Sequence, residues 1–170
     1  MRGNICKLMS GCAALALWIF LLPVSAGESL GTYKALKPEV ALSVARATME
    51  ACRKNGYQVS VAIVDRSGTV QVMLRDEMAG PHTLDTARRK AWSAASFNAD
   101  TRSIAEATMP GSEQSGIRFI SDAMMVAGGI PLYADGTLVG AVGVSGAPRA
   151  EEDHRCAEKG VEALEEILLF

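Results

Sequence analysis

Histidine and aromatic side chains are scarce in this chain: two histidines, and aromatics at 5% of 170 residues. The formal net charge is only −2, so there is no electrostatic footprint for nucleic acid. No phosphate-cradling or dinucleotide glycine pattern occurs, and no CxxC or HExxH spacing. Long apolar runs are absent beyond residue 26, and so is low-complexity sequence. A membrane partner is therefore not expected once the N-terminal segment is gone.

What is present begins with that segment. Arg2 and Lys7 precede an apolar stretch over residues 13–22, which ends in Pro23-Val24-Ser25-Ala26. The order of a basic region, an apolar core and small residues is that of a secretory signal, with cleavage expected after Ala26. A retained anchor needs roughly 20 apolar residues, about twice the length of this core. Cys12 lies before the core and not at its end, which argues against a lipoprotein. Cleavage leaves 144 residues carrying a formal charge of −4, enough for one domain with its own core. The expected organisation is a signal over 1–26, a flexible leader over 27–36 and one domain over 37–170, located in the periplasm or outside the cell. Cys52 and Cys156 then remain. An oxidising compartment permits a disulfide between them, but two small buried thiols on apolar helix faces are the favoured expectation.

Along the domain, Pro38 suits the first turn of a helix. Ala41, Val44, Ala45, Thr48, Ala51 and Cys52 recur at helical spacing, and Asn55-Gly56 stops them. Residues 57–74 read as a hairpin around Asp65-Arg66-Ser67-Gly68. Residues 81–97 read as a helix with a small-residue face, and Asp100 caps a short one to about 107. A loop over 109–116 follows. Residues 124–133 are extended, Asp135-Gly136 turns the chain, and 137–145 form the best strand. Its Ala141, Gly143 and Ser145 leave one face small enough for a helix backbone or a flat ligand to approach. Pro148 opens the last helix, with acids in its first turn. The order α-ββ-αα-βββ-α requires a mainly antiparallel sheet of about five strands with helices against it, an α+β fold.

Few residues offer chemistry. His82 enters a helix from a loop, where it could reach a pocket as an iron ligand, or simply stand in solvent. His154 follows Glu151 by three residues, but only one such pair exists, so a solvated first turn is expected. Gly143-Val144-Ser145-Gly146-Ala147 falls short of a nucleophile elbow, lacking its last glycine and a downstream acid and histidine. The amides at that helix start could instead hold a carboxylate. Arg88-Arg89-Lys90 could reach acidic groups on a ligand, though a basic helix edge is usually solvated. Met78 and Met109, in loops, could face an apolar ligand. No catalytic residue is assigned, and an enzyme is not the favoured reading.

Several segments together resemble the GlcG/HbpS family, which includes the C-terminal domain of PduO-type proteins. They are Val61-Ala62-Ile63-Val64-Asp65 with Ser67-Gly68, Arg75-Asp76 before Ala79-Gly80, and Lys90-Ala91-Trp92-Ser93-Ala94. Gly128-Gly129-Ile130-Pro131-Leu132, the run from Asp135-Gly136 to Gly146, and Asp153…Cys156-Ala157…Gly160 complete the set, spanning residues 36–168. The resemblance implies a profilin-like sheet flanked by helices, assembly into homo-oligomers, and binding of haem or a related tetrapyrrole. Within it, His82 becomes the candidate axial ligand, and Arg88 or Arg89 could pair with propionates. The function expected is sequestration, transport or redox sensing of haem by an exported protein. The alternative is a non-catalytic accessory or sensor that binds a small organic acid.

Overall fold

The computed structural model describes residues 30–169; the expected signal and its cleavage point lie outside them. Helix α1 (Pro38–Lys54) precedes strands β1 (Ser60–Asp65) and β2 (Val70–Arg75). Helices α2 (Thr83–Phe97) and α3 (Thr101–Ala107) follow, with a 3-10 turn at Ser115–Phe119. Strands β3 (Gly129–Ala134) and β4 (Thr137–Ser145) and helix α4 (Ala150–Leu168) complete the domain. The strands form one antiparallel sheet in the order β2-β1-β4-β3.

The two central strands divide their side chains by face, as period-two alternation demands. Val61, Ile63, Val142 and Val144 pack with α1 and α4 through Val44, Ala45, Ala157 and Leu164. Ala62, Val64 and Ala141 meet the alanines of α2, Ala87, Ala91, Ala94 and Ala95. The fold is thus three layers, with two helices on one sheet face and one on the other. The small face of β4 admits a helix, the first of the two possibilities its sequence offered. A Cβ on Gly143 would collide with the Ala87 carbonyl and stand 2.6 Å from the Ala91 nitrogen.

The sheet has four strands where about five were expected. Residues 124–128 form none: the Met124 amide donates to Ser93 Oγ, and Gly128 breaks the extended run at φ +119°. The expected leader also ends early. Tyr33 stacks under Arg66, Lys34 pairs with Asp135, and Leu36 is buried in the core.

Cys52 and Cys156 form a disulfide, correcting the favoured expectation of two thiols. Their Cα atoms are 5.4 Å apart, inside the bridging range of about 4.4–6.8 Å. The reason is the close approach of α1 and α4. Gly160 faces Thr48 of α1, and any Cβ there would run into the Thr48 hydroxyl.

Candidate functional site

The loop carrying His82 is built from below. Asp76 is buried, and its carboxylate accepts from the Val59 amide at 2.9 Å and from Arg53 Nε at 2.7 Å. Arg75 donates to the Ala79 carbonyl, and Thr83 Oγ1 donates to the Gly80 carbonyl at 2.6 Å while meeting Ser60 Oγ at 2.7 Å. This fixes the start of α2 against β1. The His82 carbonyl accepts from Thr86, but its imidazole is exposed and makes no hydrogen bond among the described residues. Gly80 lies against that ring: a Cβ there would come within 2.8 Å of Cε1. Met78, in the same loop, is 80% exposed. A fixed backbone with an unengaged imidazole suits presentation to a ligand.

Arg88 and Arg89 are both engaged. Arg88 bridges Asp85 at 2.9 Å and Asp122 at 2.6 Å, and its guanidinium holds the Asp122 carboxyl below the ordinary range. Arg89 donates to the Ala123 carbonyl at 2.9 Å. Together they fasten residues 122–123 to α2.

Lys90, next in that basic run, was not expected inside the molecule. It is 1% exposed, and its ammonium donates to Asp153 Oδ2 at 2.8 Å and to the Val144 carbonyl at 2.9 Å. Asp153 Oδ1 accepts from the Ala147 amide at 2.9 Å. Burial pulls the Lys90 ammonium below its usual value and pushes the Asp153 carboxyl above its own, each opposed by the partner's charge. Gly128 covers the pair at a left-handed φ, where a Cβ would stand 3.0 Å from Lys90 Nζ. One ion pair thus ties α2, the end of β4 and the start of α4 together. It also supplies the Ala147 amide with the protein's own carboxylate, which removes the main motive for placing an external organic acid there. Ser145, in the near-elbow sequence, is 5% exposed.

His154 is 2% exposed, not solvated as its first-turn position suggested. Its ring lies inward because residues 153, 154, 156, 157 and 160 all fall on the buried side of α4. Nε2 is 3.5 Å from Glu158 Oε1, and Nδ1 is sealed without a partner among the described residues. Burial, reinforced by Arg102, lowers the imidazole from its usual 6.5 against the pull of Glu158, Asp100 and Glu151. His154 lines a groove of about 340 Å³ beside Ile130 and Val161. Among the described residues, no three potential ligands are gathered to hold a metal ion, and no helix is long and apolar enough to cross a membrane.

Comparisons with known proteins fit this architecture. A family described as "Haem degrading protein HbpS-like" matches residues 36–162. The crystal structure of a double mutant of HbpS from Streptomyces reticuli is 35% identical, superposes with a TM-score of 0.76, and is covered to 99% by 93% of this chain. The structure of a PduOC–haem complex is 29% identical with a TM-score of 0.72, matching 76% of this chain and 95% of that one. GlcG of Escherichia coli strain K12 is 29% identical over 112 residues, which are 65% of this chain and 81% of GlcG.

Proposed function

The chain belongs to the HbpS-like family, and from that premise we propose that it is an exported protein that binds haem in order to sequester, carry or sense it. The observation that carries this reading is the match to HbpS and to a haem-bound PduOC over nearly the whole domain, at about 30% identity or above. Support for an iron site among the described residues comes from one loop. His82 offers an imidazole without hydrogen bonds among the described residues, beside a glycine whose missing side chain leaves the ring clear, with the Met78 thioether on the same loop. His82 is the residue that would hold the iron, through its imidazole. Haem bound there would supply an iron centre for redox or gas-ligand chemistry; the protein's part is to present the imidazole from a fixed backbone. Arg88 and Arg89 take second place, since a propionate would have to displace Asp122 from Arg88.

Export is supported by the basic–apolar–small order of residues 1–26 and by the Cys52–Cys156 disulfide, a bond that oxidising compartments permit. A homo-oligomer is part of the same reading. Haemin titration of the mature protein tests it: no change in the Soret band at stoichiometric haemin refutes haem binding. A second reading, haem degradation, is favoured by the family's description. Its test is loss of the Soret band with product formation under reductant.

A further inference from the structure

The groove against α4 lies apart from His82 and has a different chemistry. Ile130 and Val161 give it apolar walls, and the buried His154 ring forms part of its lining. Asp100, Glu158, Glu162 and Glu165 rim it. Of the nearby cations, Arg102 pairs with Glu151 at 3.2 Å, Lys159 pairs with Glu162 at 2.6 Å, and Arg155 lines a different groove beside Tyr57 and Glu152. Asp100 is likewise occupied in capping α3. Glu158 and Glu165 are left unneutralised at the mouth, Glu158 with only the 3.5 Å contact to a neutral imidazole.

From this juxtaposition of an apolar lining, a buried histidine lacking a full set of partners and a surplus of carboxylates, we infer that the groove binds a small amphipathic organic cation, a primary amine with an apolar body. The sign of the rim selects the ligand. A carboxylate ligand would meet like charge, which costs affinity and slows encounter. The apolar walls favour an aryl or alkyl body over a bare metal ion, for which the fixed groups do not converge. The volume accommodates a ligand of roughly benzylamine size; ligand sites of larger molecules span about 300–1,000 Å³.

The experiment uses the mature protein and benzylamine, with benzoate and magnesium chloride as matched probes. Because the chain has two histidines, imidazole NMR resonances report His154 and His82 separately, and His82→Ala assigns them. Benzylamine is expected to shift the His154 resonances saturably and leave those of His82 in place. Benzoate is expected to do nothing. Glu158→Gln and Glu165→Gln, both at exposed positions, should each weaken binding about two- to fivefold and leave the melting temperature unchanged. Equal binding of benzoate, displacement of benzylamine by magnesium, or full affinity in the Glu158→Gln/Glu165→Gln double variant would overturn the inference. None of these outcomes bears on haem, which is read at a separate site in the Soret region.

Discussion

Replacing Lys90 by methionine removes the cation from a pair that is almost wholly buried, at side-chain exposures of 2% and 5%. Asp153 then keeps only the Ala147 amide as a donor. Breaking one side of such a pair costs about 3–5 kcal/mol, equivalent to a fall of roughly 10–20 °C in melting temperature for a domain of this size. The pair itself is not a large net stabiliser. Burial raises the Asp153 pKa, so that group's contribution is full below its ordinary 3.8 and is lost as pH rises through the raised value; it lowers that of Lys90, whose contribution is full above its ordinary 10.5 and is lost as pH falls through the lowered value. Between the two folded-state values both groups are held as ions against desolvation. A Lys90→Met/Asp153→Leu double variant is therefore expected to lose less than the two singles together. What it still loses is the partners of the Val144 carbonyl and the Ala147 amide, about 1–3 kcal/mol each. Urea denaturation of the wild type, both single variants and the double gives the coupling directly. A single variant within about 1 kcal/mol of wild type, or a double equal to the sum of the singles, would refute the reasoning.

Reducing the Cys52–Cys156 bond opens a closure of 104 residues. It should lower stability by about 4–5 kcal/mol, read as a melting temperature lower in dithiothreitol after full reduction; an unchanged transition would contradict it. His154 is held below its usual 6.5 in the fold, so its stabilising effect is present above that pH and lost as pH falls through the lowered value. Stability should therefore decline on acidification below about 6.5, and His154→Gln should flatten that part of the profile. Gly143→Ala drives a methyl into the α2 backbone and should cost about 1–3 kcal/mol or more; a melting curve like wild type would show that the two layers are not in close contact.

Much of this fold was legible because its signals are local. Pro38 opens α1, Asp65-Arg66-Ser67-Gly68 turns β1 into β2, and Asp100 caps α3 with bonds to the amides of Arg102 and Ser103, as their spacing requires. The expected extra strand failed because the Met124 amide is held by Ser93, 31 residues away, and within 124–128 only the Gly128 carbonyl reaches a strand, accepting from the Val144 amide. Lys90 was hidden by its neighbours: beside Arg88 and Arg89 it reads as one of three solvated bases. Helix phase held the missed signal. Lys90 lies three residues after Ala87 and four before Ala94, squarely on the buried stripe, and its partner is 63 residues distant. His154 escaped for the same reason, its proximity to the helix start outweighing a phase shared with Ala157 and Val161. The disulfide depended on the approach of two helices on one sheet face, which no spacing along the chain encodes.

Haem binding through His82 is tested most directly by titrating haemin into the mature wild type and His82→Ala in parallel, following the Soret band. A saturable shift in the wild type that the variant loses or greatly weakens, with both proteins melting alike, is the expected result. Equal binding by both would remove His82 as the ligand while leaving haem in place. No saturable shift in either would contradict haem binding itself.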